Sequence, residues 1–393
     1  MSLSAESGRV RAAWPRYVEV HDPPFLQRRA SEHRTYGWFC AAMLPVIGAG
    51  TYLVGYGVLG IYAAAMAGAL VASKLCDRFA AAPGAKSMAH AICVGLMLAL
   101  TLPPTVGWVA PFLGAFAGIA ICRSLLGGLG NYLWNPALVG RTVVQLAFSD
   151  GLMPLRWSFL GAGHGLTGSL NAASAGLGYR GFDLTYPPPG VEAWSLARPI
   201  DWLVGQCGFS VAATQPGPSL LSVFRDCLPP WRDTLWGVVG GGIGETCFLA
   251  VVAGGLVLIC LRCSRWQLPV AAFGTVALLS AVWPIRIDAG QPAAWCPILA
   301  VREGFPVGAA LVLFQLTGGG LAAASLLIAP DPASTPLTGR GHLLFGVGLG
   351  ALTFLARVSG LSPGSAYWAV LAMNTLVPLI DRVTRRQVFG TSR

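Results

Sequence analysis

The sequence contains few charged residues for its length. Asp, Glu, Lys and Arg make up 11% of its 393 residues, whereas 54% are hydrophobic. Soluble domains have about 25% charged residues, so this scarcity excludes an ordinary soluble protein. Several apolar stretches reach the length of roughly 20 residues that a helix needs to cross a bilayer. The sequence therefore predicts a polytopic integral membrane protein, with no cleavable signal peptide in its polar, Arg-rich start.

The motifs of hydrolytic, phosphoryl-transfer and metal sites are also missing. The five histidines show neither HxxxH nor HExxH spacing, and the chain has no phosphate loop, nucleophile elbow or paired catalytic carboxylates. Cys260 and Cys263 form one CxxC, which is weak evidence for a metal without a second pair. We therefore predict no metal site and no hydrolase or transferase. An enzymatic role in electron transfer stays open, because a flavin would supply that chemistry.

The formal net charge of +10 is explained by membrane topology. Basic clusters precede the first predicted span, follow the second and flank the last, as at Arg28, Lys74, Arg78, Arg382 and Arg385. With ten spans and a cytoplasmic N-terminus, these clusters all fall on the cytoplasmic side, as the positive-inside rule requires. We predict cytoplasmic termini, contact with membrane lipid and no binding of nucleic acid.

Ten hydrophobic stretches are predicted to span the membrane. They cover residues 37–56, 58–75, 89–103, 106–122, 135–148, 236–261, 268–284, 300–328, 341–357 and 364–380. The predicted domains are a cytoplasmic Arg-rich segment 1–36, a five-helix half 37–148, an outer periplasmic loop 149–235, a second five-helix half 236–380 and a cytoplasmic tail 381–393. Because five is odd, two such halves have opposite orientations. The expected fold is an all-α membrane protein of about ten helices, built as an inverted repeat with broken helices.

A glycine-rich break, GGLGNYLWNPALVGR, occupies Gly127–Arg141 between two of these stretches. Irregular backbone at membrane depth is tolerated only where it lines a cavity or is buried in protein. Asn135-Pro136-Ala137 predicts a helix start, because Asn is a favoured N-cap and Pro suits the first helical position. Asp331-Pro332-Ala333 predicts a second start, and Gly318–Gly320 interrupts the eighth stretch. We expect the two helix starts to border one intramembrane site.

Two acidic residues are candidates for an ion pathway. Glu245 lies about ten residues into the sixth predicted span, where a carboxylate is expensive and usually faces an interior cavity or a partner. It either neutralises a passing cation or proton, or is a helix-packing acid bonded within the protein. Asp331 either caps a helix, which its neighbour Pro332 favours, or meets a cation as a cavity-lining carboxylate.

Four residues of the glycine-rich break are candidates for cofactor contacts. The helix start at Asn135 presents positive partial charge, which suits a flavin phosphate or ring carbonyl. Arg141 either pairs with an anionic cofactor group or extends to the surface as a topology anchor, and we favour the anchor. Trp134 and Tyr132 either stack on a flavin or belong to the interfacial aromatic belt, and we favour the belt.

Several motifs in order resemble the RnfD/NqrB family from about residue 36 to residue 389. These are LALTLPPT (98–105), the GGLGNYLWNPALVGR break, GGIGET (241–246), DPASTPLTGRG (331–341), the region of Arg357 and MNTLVPLID (373–381). Tyr132 stands where the family commonly has Asn, and Pro363-Gly364 lacks the acid of the family's Pro-Glu-Gly. The resemblance implies a membrane subunit of the Rnf complex or of the sodium-pumping NADH:quinone reductase.

The family attaches FMN to a threonine in a motif like D-x-x-S/T-G-A-T on the outer side. The matching candidate here is Thr214, in SVAATQPG, although Ala212, Val211 and Gly208 replace the motif's Gly, Ser/Thr and Asp. Thr214 is either flavinylated or an ordinary loop threonine before a proline turn. Riboflavin is a second cofactor to be considered.

The resemblance implies a place in the bacterial inner membrane and a role in redox-driven ion translocation. It implies as partners the other membrane and peripheral subunits of an Rnf/NQR-type complex. Two alternatives remain: a channel or transporter on the same scaffold, and a structural membrane anchor without a redox role. The sequence leaves the coupling ion and the electron donor and acceptor undetermined.

Overall fold

The computed structural model of the chain describes residues 32–79, 88–103, 106–125, 132–148, 235–237, 242–285, 294–295, 301, 304, 306–358 and 364–384. Thr214 and nearly all of the predicted outer loop lie outside the described residues, as do residues 1–31 and 385–393. The predicted domain boundaries in these regions stay predictions.

The described residues form a series of helices. These are α1 (Glu32–Val54), α2 (Gly57–Phe79), α3 (Met88–Thr101), α4 (Val109–Leu125), α5 (Pro136–Ala147), α6 (Phe248–Cys260), α7 (Gln267–Val282), α8 (Val307–Thr317), α9 (Leu321–Ala323, continuing as the π-helical turn Ala324–Ile328), α10 (Gly339–Val358) and α11 (Ser365–Val383). Two-residue strands, β1 (Pro284–Ile285) and β2 (Ala294–Trp295), pair antiparallel. Apart from this pairing the predicted all-helical class is confirmed, and each of the ten predicted stretches contains a helix.

Helix lengths match a membrane protein in which some spans are interrupted. Within the described part of the chain, α1, α2 and α10 are each long and apolar enough to cross a bilayer. Helices α8 and α9 pass the same test together and are bent by 50° at their junction. The interruption predicted at Gly318–Gly320 is therefore confirmed, because α8 ends at Thr317 and α9 begins at Leu321.

Two local predictions are wrong. The sixth stretch was expected to be helical from residue 236, but α6 begins only at Phe248, and residues 242–247 form turns. Gly242 and Gly244 weaken a helix there. Asp331-Pro332 does not begin a helix either: residues 332–334 form a turn, and α10 starts at Gly339. The Asp331 carboxylate accepts the backbone N–H of Ala333 in this turn, as a capping residue would, and it also bonds distant side chains.

Helix α3 lies inside the protein: all of its residues are buried except Met88 and Ile92. Glycines allow the helices near it to approach closely, as α4 and α5 do. A Cβ added at Gly118 of α4 would collide with the Pro136 carbonyl and lie 3.0 Å from the Gly140 nitrogen of α5. Backbones that approach this closely require small residues at the contact, as is common between membrane helices.

Candidate functional site

The C-terminal end of α3 is completed by groups from elsewhere in the chain. N–H groups of the 242–245 turn donate to the carbonyls of Leu100 and Leu102, over 2.7 and 3.0 Å. The guanidinium of Arg141, on α5, donates to the carbonyl of Thr101. The last carbonyls of a helix have no partner within the helix, so these bonds satisfy the end of α3 inside the protein.

The interruption between α8 and α9 is completed in a similar way by Arg357 of α10. Its guanidinium donates to the Gln315 carbonyl (2.6 Å), the Gln315 side-chain oxygen (2.9 Å) and the Gly318 carbonyl (2.8 Å). Gly319 and Gly320 have φ of 68° and 74°, which a residue with a side chain adopts only with strain. Each half of the chain therefore has a buried arginine that donates to backbone carbonyl oxygen at the end of a helix.

Glu245 lies where the two interruptions meet. Its carboxylate accepts the N–H of Gly242 over 3.0 Å, which holds the 242–245 turn together. A Cβ built on Gly320 would lie 2.6 Å from Glu245 Oε1, so the carboxylate packs directly against Gly320 at the start of α9. An acid at a helix start and a cation at a helix end are both favoured by the helix dipole, so Glu245 and Arg357 complement the two sides of this break.

Arg141 joins the two halves of the chain. Its guanidinium carbon lies 4.4 Å from the ring centroid of Tyr367, on α11, in a cation–π contact. The arginine is only 5% exposed, so the expected surface anchor is wrong: the side chain turns inward because the Thr101 carbonyl and the Tyr367 ring bind it there.

Asp331 is the centre of a second polar cluster. Its carboxylate accepts from the hydroxyls of Tyr132 (2.9 Å), Tyr36 (3.3 Å) and Ser334 (3.3 Å), and from the Asn135 amide (3.5 Å). The expectation that the two Asx-Pro sequences border one site is met by this last contact. A carboxylate buried to 2% exposure is stable only when such donors replace its water.

Asn135 has the predicted capping geometry. Its side-chain oxygen accepts the N–H of Ala137 over 2.9 Å, with Pro136 as the first residue of α5. Its amide nitrogen donates to the carbonyl of Ile328 (3.3 Å) as well as to Asp331. With both polar ends bound by protein groups, Asn135 links the start of α5 to the end of α9.

The aromatic residues of the break have different environments. Tyr132 is 2% exposed and belongs to the Asp331 cluster, so its assignment to an interfacial belt is wrong, because its hydroxyl finds buried polar partners. Trp134 is only partly buried, and its indole N–H donates to the Thr375 hydroxyl over 2.9 Å.

Sequence reasoning missed His90 and Tyr36. The His90 Nε2 lies 3.1 Å from the Tyr132 hydroxyl, and the Tyr36 hydroxyl lies 3.4 Å from the same oxygen. Each is one polar residue in an apolar helix, so only its contact across the fold reveals a role. Among the described residues no group of three or more His, Cys, Asp and Glu side chains is placed to hold a metal.

The two predicted ion-pathway carboxylates lie at opposite ends of one helical piece. Glu245 packs at the start of α9 against Gly320, and Asp331 follows the end of α9 at Ile328. Eight helical residues are roughly 12 Å long. The site thus consists of a short helix with an acid at each end, enclosed by the two halves of the chain.

Comparison with known proteins places the chain in a family. The chain matches the NQR2, RnfD, RnfE family over residues 19–390. It is 32% identical over 364 residues to the D subunit of the ion-translocating oxidoreductase complex of Stutzerimonas stutzeri, covering 92% of this chain and 93% of that protein. It is 30% identical to the D subunit of the complex of the same name from Yersinia pestis, covering 95% and 98%. It is 29% identical to the D subunit of the proton-translocating ferredoxin:NAD(+) oxidoreductase complex of Clostridium ljungdahlii, covering 90% of each. The chain therefore belongs to the NQR2, RnfD, RnfE family.

Proposed function

We propose that this protein is a membrane subunit of an Rnf-type complex that couples electron transfer to ion movement. The observation that carries the proposal is the pair of acids at the two ends of α9, with Asp331 buried and Glu245 partly buried. The chain that holds them matches its Stutzerimonas stutzeri relative along more than nine-tenths of its length. Acids inside a membrane protein usually mark an ion or proton route, because burying them is costly without a function. Glu245 and Asp331 are the residues assigned to this route.

The proposed topology has ten spans in two inverted five-helix halves, with both termini on the cytoplasmic side of the bacterial inner membrane. Two features support the inverted repeat. Each half has one interrupted or shortened helix, α3 or α8. Each also has an arginine at the end of that helix: Arg141 binds the Thr101 carbonyl, and Arg357 binds the carbonyls of Gln315 and Gly318. The topology puts the 149–235 loop on the outer side, where the family attaches its flavin.

The proposal for the cofactor is FMN attached to Thr214, with riboflavin as a second flavin. Asn135 and Arg141 give it little support as flavin contacts, because their polar groups bind other parts of the protein. Trp134 has a partly exposed ring that could stack on a planar group. The flavin proposal therefore depends on Thr214 and on the resemblance around it.

The test combines partner capture with flavin detection. The affinity-tagged chain is expressed with its neighbouring genes and a flavin transferase, purified, and run on a denaturing gel viewed by flavin fluorescence. We expect other complex subunits to co-purify and a fluorescent band that Thr214→Ala abolishes, while Thr185→Ala, in the same loop, retains it. A wild-type band without fluorescence would overturn the covalent FMN. A chain that purifies alone and moves ions without a redox donor would replace the proposal with a stand-alone transporter.

A further inference from the structure

The hydroxyl of Tyr132 lies between a histidine and an acid. It donates to Asp331 Oδ2 over 2.9 Å and lies 3.1 Å from His90 Nε2. His90, Tyr132 and Asp331 are each at most 2% exposed. These three side chains come from α3, from the turn before α5 and from the turn after α9, so tertiary folding alone assembles them.

We propose that His90, Tyr132 and Asp331 form a proton relay, and that the ion bound at Asp331 is a proton. The inference rests on the proposed function for its part in transport. In the relay step the hydroxyl proton of Tyr132 passes to Asp331 Oδ2, while the Tyr132 oxygen takes a proton from Nε2 of a protonated His90. A carboxylate and an imidazolium become a carboxylic acid and a neutral imidazole, and no electron changes hands. The reverse step restores the carboxylate and the imidazolium.

The charges around the relay suit such a step. Both states of the His90–Asp331 pair have zero net charge, so the proton moves without leaving an isolated charge in an apolar interior. In the uncharged state the acid proton lies on Asp331 Oδ2, beside the Tyr132 oxygen, and Oδ1 still accepts from the Tyr36 hydroxyl, 3.3 Å away. The other titratable or charged groups that face the pair are Tyr36 on α1, Cys93 on α3, and Cys122 and Arg123 on α4. Arg123 is neutralised by Asp77, at 2.8 Å.

The same geometry disfavours an alkali-metal cation at Asp331. A hard cation is held by the lone pairs of several oxygens turned towards it. Here Tyr132, Tyr36, Ser334 and Asn135 instead point their hydrogens at the carboxylate. The next partner in the chain of contacts is an imidazole nitrogen, a ligand of transition metals rather than of sodium.

The first test uses infrared spectroscopy of the full chain in lipid nanodiscs. We expect a carboxylic-acid band at neutral pH that disappears in Asp331→Asn and exchanges its proton in D₂O. In Tyr132→Phe the band remains but exchanges about 100-fold more slowly, since a positioned proton-transfer group contributes a factor of this order. Tyr62→Phe is the matched control, because the buried Tyr62 hydroxyl on α2 has no hydrogen-bond partner among the residues that the structure describes. If the carboxylic-acid band of Asp331 disappears when NaCl replaces KCl, sodium binds there, and the conclusion that the ion is a proton is overturned.

The second test measures redox-driven acidification in vesicles containing the assembled complex. Tyr132→Phe and His90→Gln should slow proton movement by about 100-fold. The composition of the complex should remain as in the Tyr62→Phe complex. Proton movement in both variants at the rate of that control would overturn the relay and leave the proposed function intact. A wild-type complex with no redox-driven ion movement would instead overturn the proposed function. If a variant complex does not assemble, the relay is tested on the variant chain alone by its infrared exchange rate. Exchange as fast as in Tyr62→Phe would overturn the relay.

Discussion

Arg357 allows a quantitative test of how the α8–α9 break is stabilised. The side chain is 3% exposed and makes bonds of 2.6, 2.9 and 2.8 Å to oxygens of Gln315 and Gly318. Arg357→Met keeps most of the apolar stem but removes the donors, which leaves the end of α8 without partners. A hydrogen bond from a charged group contributes about 1.5–3 kcal/mol, and removing one partner of a buried charged network costs about 3–5 kcal/mol. We therefore expect Arg357→Met to lower the free energy of unfolding by about 4 kcal/mol.

The measurement is reversible denaturant unfolding in mixed micelles, followed by tryptophan fluorescence and extrapolated linearly. Arg357→Lys should recover only part of the loss, because an ammonium cannot bind several carbonyls with a planar fork. Arg340→Met is the matched control: Arg340 lies in the first turn of the same helix but is more accessible to solvent, so its loss should stay within about 0.5 kcal/mol. Equal losses of unfolding free energy in Arg357→Met and Arg340→Met would refute the conclusion that Arg357 stabilises the protein by binding these carbonyls.

Two glycine substitutions test the close approaches in the fold. Gly118→Ala should destabilise the protein by about 1–3 kcal/mol, because its Cβ would overlap the backbone of α5. Gly274→Ala, which faces open space on α7, should be neutral or stabilising in the same unfolding assay, and a larger loss there than at Gly118 would contradict the packing argument. Gly320→Ala forces a side chain into φ of 74° and its Cβ to 2.6 Å from Glu245 Oε1. We expect about 1–2 kcal/mol of strain and slower redox-driven ion uptake, and wild-type uptake would show that the Glu245 position is not needed.

Local signals in the sequence were sufficient for some features of the site. The Asn135 side chain caps the helix by accepting the N–H of Ala137, and Pro136 suits the first helical position. Three consecutive residues are therefore enough to specify the helix start, and the structure shows the predicted cap. The glycines at 318–320 mark the broken helix because positive φ at two consecutive positions excludes most other residues. These features need no knowledge of the rest of the fold.

Features that depend on distant partners were missed or mispredicted. Asp331-Pro332 has the same local pattern as Asn135-Pro136, and its carboxylate likewise accepts a backbone N–H two residues on, from Ala333. It is also bonded by Tyr132 and Tyr36, more than 190 residues away in sequence, and no helix begins there. Glu245 was placed on a helix because its surroundings are apolar, although the glycines before it were a visible signal against one. His90 has no local signal, because a single histidine in an apolar helix does not show which hydroxyl will face it.

Membrane physics explains why the two halves cannot be considered separately. Unpaired carbonyls at bilayer depth cost several kcal/mol each, and a continuous helix would satisfy them with its own N–H groups. This chain interrupts α8, and ends α3 early, and then requires Arg357, Arg141 and the 242–245 turn to bond the exposed carbonyls. The end of α3 in the first half is thus completed by a turn of the second half. These breaks do not stabilise the protein, because their carbonyls need buried arginines and a turn from the other half of the chain as partners. What they provide is a short separate helix, α9, whose two ends can each face an acid.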